Sequence, residues 1–152
     1  KFPMKFDDGT LAIMEVSGGR ITTANLVAGD ADLIKAFNHK LKIDPVTGEI
    51  GELGFGTQDL PVSCRDIQDE KVLGTLHVAT GRSDHLGGHL TPDLFAEKLH
   101  ATHDDILFSP SKTPEIYVKQ ARMVRGDTTE IVIQDYEPSN YLRDAIGQES
   151  SQ

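Results

Sequence analysis

Glycine turns separate the apolar segments of this chain, and those segments are short and suited to strands. Residues 11–16 and 21–27 are two such runs on either side of Gly18-Gly19. Paired glycines supply the positive φ angles that a tight hairpin turn needs. The pattern therefore predicts a β-hairpin here, and it limits the space left for long helices.

Further segments repeat this pattern along the chain. The predicted strands are a glycine-punctuated run at 49–56, an apolar run at 72–80, residues 105–109, and a final hairpin of 114–124 and 130–136. Two short helices are expected between them. One begins at the N-cap Asp30 and ends at Asp44-Pro45, and the other opens at Thr91-Pro92. The sum predicts an α+β fold with a mixed, largely antiparallel sheet and two short helices.

Length and charge bound the class of protein. The 152 residues predict a single α+β domain over 1–146, with a disordered tail at 147–152. The chain begins Lys1-Phe2-Pro3 without an initiator methionine, so we expect either a processed N-terminus or a fragment of a longer protein. A net charge of -9 argues against nucleic-acid and anionic-membrane partners. The single cysteine, Cys64, excludes an internal disulfide and indicates a reducing, cytoplasmic compartment.

Histidines are concentrated in one part of the sequence. Five of the six, with several carboxylates among them, lie between residues 77 and 103: His77, His85, His89, His100 and His103. Clustered histidines and carboxylates are typical of a divalent metal site, and they are also typical of a polar surface loop. Both interpretations stand at this point.

Two positions favour the metal interpretation. His77 lies within the apolar run Leu76-His77-Val78, where a buried imidazole needs either a hydrogen-bond partner or an ion. His103 and Asp105 are two residues apart, so on a strand they share a face and can bind one ion together. With His77 they would form a set of two histidines and one carboxylate, which suits iron(II), zinc, cobalt or manganese.

Glu52 is a further candidate, because it stands among glycines in Ile50-Gly51-Glu52-Leu53-Gly54. Such a residue can be a solvated glutamate on an edge strand. It can also be a metal ligand or a general base, presented by backbone that an ion can approach closely.

Four segments in order resemble a known family. They are IGELGFGTQ (50–58), DEKVLGTLHVATGR (69–82), LGG (86–88) and HDDILF (103–108). Over roughly residues 10–135 the chain resembles the C-terminal catalytic portion of the thermophilic aminopeptidases, the aminopeptidase T family of two-metal peptidases. The related 2,5-dihydroxypyridine dioxygenases use a single iron.

The resemblance implies metal ligands at Glu52, His77, His103 and Asp105, holding zinc, cobalt or manganese. It also implies a homodimer of the full-length protein and a second domain before Lys1. Two departures stand out. An upstream glutamate ligand of the family has no counterpart here, and Asp84 stands where the family has a catalytic tyrosine.

The expected activity is metal-assisted hydrolysis of an N-terminal peptide bond, on a peptide or small-molecule substrate. Glu52 would bridge the ions or accept a proton, Glu70 is either a second base or an exposed loop acid, and Arg82 either stabilises an oxyanion or lies on the surface. The alternatives are a dioxygenase-like domain with one iron(II) and a catalytically inactive fragment.

Overall fold

The computed structural model describes residues 1–147, apart from the side chains of Asp66 and Ile67, and it has an α+β fold. Its strands form three small antiparallel sheets, so the predicted fold class is confirmed. Residues 148–152 of the predicted tail lie outside the described residues. No helix among the described residues is long and apolar enough to cross a membrane.

The first sheet contains the predicted hairpin. Its strands, in order, are β1 (Phe2–Lys5), β2 (Leu11–Ser17) and β3 (Arg20–Ala28). Ser17 lies opposite Arg20, and the connecting Gly18 and Gly19 have φ angles of 58° and 81°. Those positive angles match the twist of the two strands, which is the reason for the glycine pair.

Helix α1 (Ala31–Ile43) packs on this sheet. Asp30 caps it as predicted, because its Oδ1 accepts two backbone N–H groups at 2.8 and 3.3 Å. Ile34 and Leu41 are buried. The Asn38 side chain bonds both to the N–H and to the carbonyl of Ala24 on β3, at 2.7 and 2.8 Å, which fixes the helix to the strand.

The second sheet carries every predicted metal ligand. Its strands, in order, are β4 (Ile50–Phe55), β5 (Leu76–Gly81) and β6 (His103–Phe108). Hydrogen bonds at both ends of the first pair join Gly81 to the carbonyl of Glu49 and Gly56 to the carbonyl of Thr75, each at 2.9 Å. The two strands are therefore antiparallel.

The third sheet and its helix form a small core of their own. The elements are β7 (Gln120–Arg125), β8 (Thr128–Gln134), β9 (Glu137–Pro138) and α3 (Asn140–Ala145), and a single turn of helix, α2 (Asp66–Asp69), precedes them in the chain. Val132, Ile133 and Leu142 are the buried residues of this core. Ser139 caps α3 by accepting the N–H of Leu142 at 3.2 Å.

By internal contacts the chain divides into two compact units. The first comprises Lys1–Leu53 and Val78–Ile106, and the second comprises Gly54–His77 and the chain from Leu107 on.

The second helix was predicted at the wrong place. Thr91-Pro92 opens only a short 3-10 turn, Pro92–Leu94, after which Phe95 is extended with φ -83° and ψ 142°. The N–H groups of Ala96 and Glu97 donate to the carboxylate of Asp44, at 3.0 and 3.4 Å, so they are not available to continue a helix. Helix α3 forms instead at residues where the sequence pattern gave no helix.

Asp44 is a buried carboxylate, only 1% exposed, and it accepts hydrogen bonds from the segment after this turn. Besides the two N–H groups it accepts a hydrogen bond from Nδ1 of His100 at 2.9 Å. Burial by itself raises the pKa of Asp44, but the hydrogen bonds from Ala96, His100 and Glu97 outweigh it and hold the pKa below its ordinary value of 3.8. The ionised form is therefore the stable one in the folded chain.

We expect Asp44→Ala to lower the free energy of unfolding by about 2–4 kcal/mol, because it leaves buried donors without their charged acceptor. Urea unfolding at neutral pH measures this. Asp93→Ala is the matched control, since Asp93 is an exposed carboxylate in the same segment. It should change the stability by less than about 0.5 kcal/mol.

The acid dependence follows from the lowered pKa. The contribution of ionised Asp44 is fully present above its ordinary pKa of 3.8 and is lost as the pH falls through the lower folded value. The stability difference between the wild type and Asp44→Asn should therefore shrink only in strong acid. A difference that is constant down to pH 2 would contradict this role.

Candidate metal centre

Strand β4 presents the Glu52 side chain directly after Gly51 and two residues before Gly54. The carboxylate is 25% exposed, so it is neither fully buried nor freely solvated. Gly51 comes close to neighbouring backbone, because a Cβ at that position would lie 3.0 Å from the carbonyl of Gly81. The glycines therefore allow close strand contact around the acid.

Strand β5 buries His77, which is 4% exposed. Its imidazole occupies the space where Gly54 lacks a side chain: a Cβ on Gly54 would lie 2.1 Å from Cε1 and 2.3 Å from Nε2. No real Cβ tolerates such distances. Gly54 thus makes room for the ring, and any side chain at this position has to displace it.

Strand β6 places His103 and Asp105 on one face, as their spacing predicted. Nε2 of His103 lies 3.3 Å from Oδ1 of Asp105 and 3.1 Å from Oε2 of Glu52. Its other ring nitrogen, Nδ1, is hydrogen-bonded to the backbone carbonyl of Arg82. A carbonyl oxygen can only accept, so Nδ1 carries the proton of a neutral ring.

This tautomer leaves the Nε2 lone pair of neutral His103 facing two carboxylates. Three acceptors without a proton or cation between them repel one another. The arrangement becomes favourable when a metal ion binds there or when the ring is doubly protonated. A ligand histidine whose other N–H donates to a backbone carbonyl is the usual arrangement around metals in proteins.

The Glu52, His77 and Asp105 side chains together could bind a metal ion. One ligand atom from each lies within 4.8 Å of the other two. The set combines carboxylate oxygens with an imidazole nitrogen, which suits zinc, manganese, cobalt or iron(II) and does not specify one of them. His103 is not one of these three residues, but its Nε2 contacts both of their carboxylates.

Arg82 contributes its backbone carbonyl to the centre, while its side chain is held by Asp84. The guanidinium donates two hydrogen bonds to that carboxylate, both of 3.0 Å. This pairing raises the pKa of Arg82 and lowers the pKa of Asp84. The structure thus places the side chain in a surface ion pair, one of the two positions expected for it.

Glu70 is buried and pairs with the ammonium group of its neighbour Lys71. The expectation of an exposed loop acid is therefore wrong for this residue. It is not one of the carboxylates of the three-residue cluster.

His85 contacts one of the predicted ligands, although no sequence pattern singled it out. Its ring packs edge-on against the ring of His103, with the centroids 4.6 Å apart. The only sequence signal was its membership of the histidine-rich segment. His100 belongs to that segment as well, but it bonds to Asp44.

Comparison with known proteins gives no relative for this chain: no family model, no curated protein and no solved structure matches it. The resemblance to the aminopeptidases therefore stays a prediction. The metal centre rests on the geometry described above.

We expect Gly54→Ala to lower the affinity for Zn²⁺ by about 10- to 100-fold, although it removes no ligand. The added methyl group would displace the His77 ring, and misplaced ligands typically cost affinity on this scale. Isothermal titration calorimetry measures it, with circular dichroism to confirm the fold.

Gly126→Ala is the control for a glycine replacement in general. Gly126 has a φ of 59° in a turn with open space around it, so this variant strains the backbone without pushing the new methyl group against any neighbour. Its Zn²⁺ affinity should equal that of the wild type. Wild-type affinity in Gly54→Ala would show that the position of His77 does not matter for metal binding.

Proposed function

We propose that this chain is a metal-dependent hydrolase domain of the aminopeptidase type, which binds a divalent ion through Glu52, His77, His103 and Asp105. The observation that carries the proposal is the direction of the His103 ring. Its Nδ1–H donates a hydrogen bond to the Arg82 carbonyl. Its Nε2 faces the carboxylates of Glu52 and Asp105 at 3.1 and 3.3 Å. A cation is the species that this geometry favours.

The surroundings of the cluster support an ion in place of a simple ion pair. His77 is buried, and one of its ring nitrogens lies within 4.8 Å of a carboxylate oxygen of Glu52 and of Asp105. A doubly protonated His103 would balance one of the two carboxylates, whereas a divalent ion balances both. Imidazole and carboxylate ligands together are the chemistry of hydrolytic metal sites.

An ion bound here would supply Lewis acidity, lowering the pKa of a bound water towards about 7 and polarising a substrate carbonyl. The residues of the chain do the rest. Glu52 has two carboxylate oxygens, so one can hold the ion while the other accepts a proton from the attacking water. The backbone carbonyl of Arg82 keeps His103 in the tautomer that the site needs.

The substrate class follows from the sign of the charges. A free α-amine is cationic, and a chain with a net charge of -9 attracts a cationic substrate better than an anionic one. We assign no substrate contact to Glu70 or to the Arg82 guanidinium, since Lys71 and Asp84 already occupy them. Glu52 is therefore the proposed general base.

A second candidate is supported by the same side chains. His77, His103 and Asp105 form a set of two histidines and one carboxylate, the arrangement of mononuclear iron(II) oxygenases. Ring cleavage of a dihydroxypyridine that depends on iron(II), without peptidase activity, would identify this alternative.

We expect His77→Ala and His103→Ala each to lower the Zn²⁺ affinity by at least about tenfold, because each removes a nitrogen ligand. His39→Ala is the control, since His39 is exposed on α1 and is not one of the four proposed metal ligands. Titration calorimetry on the full chain gives the affinity, and mass spectrometry of the metal content gives the number of ions. Equal affinities in all three variants would refute the assignment.

The reaction is tested separately with leucine p-nitroanilide and its N-acetylated form. We expect the free amine to be hydrolysed, a chelator to stop the reaction, and Zn²⁺, Co²⁺ or Mn²⁺ to restore it. Glu52→Gln should lower the rate by about 10²–10⁴-fold, as expected for loss of a general base. Metal binding without hydrolysis would contradict the peptidase and leave the metal centre standing.

A further inference from the structure

The second compact unit contains a cavity of about 600 Å³ whose lining includes none of the metal-centre residues. This volume is typical of sites for small organic ligands. Valine, leucine, isoleucine and proline side chains form much of the wall, together with a few hydroxyl groups. The cavity can therefore cover the apolar body of a ligand.

The charged groups of the lining are all acidic. Asp69, Asp135 and Glu137 contribute carboxyl groups, and the described lining contains no lysine, arginine or histidine. Hydrogen bonds from Gln134 and then from Tyr117 lower the pKa of Asp135, so this carboxyl is ionised at neutral pH. Lys112 lies beside Asp69, and the charge of Lys119 also helps to lower the pKa of Asp135, but neither lysine is part of the described lining.

Two tyrosines provide aromatic faces beside these charges. The rings of Tyr117 and Tyr136 meet edge to face with their centroids 6.3 Å apart. The Tyr117 hydroxyl donates to Oδ1 of Asp135 at 2.7 Å, and the Tyr136 hydroxyl donates to the carbonyl of Ile116 at 2.9 Å. Aromatic faces next to a carboxylate are the arrangement that binds alkylammonium groups.

Tyr136 lies in the wall of the cavity with a strained backbone conformation. Asp135 and Tyr136 form the two-residue turn between β8 and β9, with φ angles of 55° and 63°. Turns of this kind favour asparagine and glycine, and a tyrosine with positive φ is strained. Such strain is found mainly where a side chain has a task other than folding.

We propose that this cavity binds an organic ammonium ion with an apolar, aryl-alkyl body. The cation lies against the tyrosine rings and Asp135, and the body occupies the apolar part of the cavity. This site does not depend on the metal centre or on the proposed hydrolase activity.

Three probes of similar size and different charge test the proposal on the full chain: 2-phenylethylammonium, 2-phenylethanol and 3-phenylpropionate. We expect the ammonium to bind about tenfold or more tightly than the alcohol, and the anion not to bind. Calorimetry gives the affinities. Chemical-shift changes of backbone amides should concentrate at residues 116–117 and 135–137.

Asp135→Asn isolates the charge. Asparagine tolerates positive φ and keeps an oxygen for the Tyr117 hydroxyl, so the turn should fold as before. We expect this variant to lose about threefold to tenfold in affinity for the ammonium, with the affinity for the alcohol unchanged. Asp127→Asn, in the turn between β7 and β8, removes the same charge elsewhere and should leave both affinities unchanged.

Three results would overturn the proposal. They are equal affinity for the ammonium and the alcohol, tighter binding of the anion, and an Asp135→Asn variant that binds the ammonium like the wild type. Failure of all three probes to bind would also reject it. Each result can be read without any metal and without any peptidase assay.

Discussion

The hydrogen bond from Nδ1 of His103 to the Arg82 carbonyl is the contact on which the proposed chemistry depends. It determines which nitrogen of the ring carries the proton, and hence which nitrogen faces the carboxylates of Glu52 and Asp105. Without it the neutral ring could carry its one proton on Nε2 and donate it to a carboxylate, and the cluster would be an ordinary hydrogen-bonded group. With it, neutral His103 needs a cation to satisfy three facing acceptors.

Glycine has a structural role in this centre beyond turn formation. Gly54 leaves the space that the buried His77 ring occupies, and Gly56 approaches the carbonyl of Val72 so closely that a Cβ would lie 1.8 Å from it. Read as sequence, these glycines indicated an extended run whose backbone an ion can approach closely. The structure explains them through close contacts with the chain from Val72 to His77, where a side chain on either glycine would not fit.

Sequence patterns predicted the parts of the fold that local physics controls. The Gly18-Gly19 hairpin and the helix from Asp30 to Asp44 formed because turn angles and caps act within a few residues. The helix at Thr91 did not form, because Asp44, distant in sequence, binds the N–H groups that it needed. Contacts of this kind leave no periodic signal.

In the candidate site, too, local features could be predicted from the sequence and contacts between distant residues could not. The two-residue spacing of His103 and Asp105 predicted their shared face, and the single histidine within an apolar run pointed to His77. The Arg82 carbonyl could not be predicted, since a backbone acceptor has no residue type. Nor could the cavity, because its acids and tyrosines come together only through folding. At the metal centre the carboxylates are accompanied by imidazole nitrogen, which suits a metal ion. In the cavity they are accompanied by aromatic rings, which suits an organic ammonium ion.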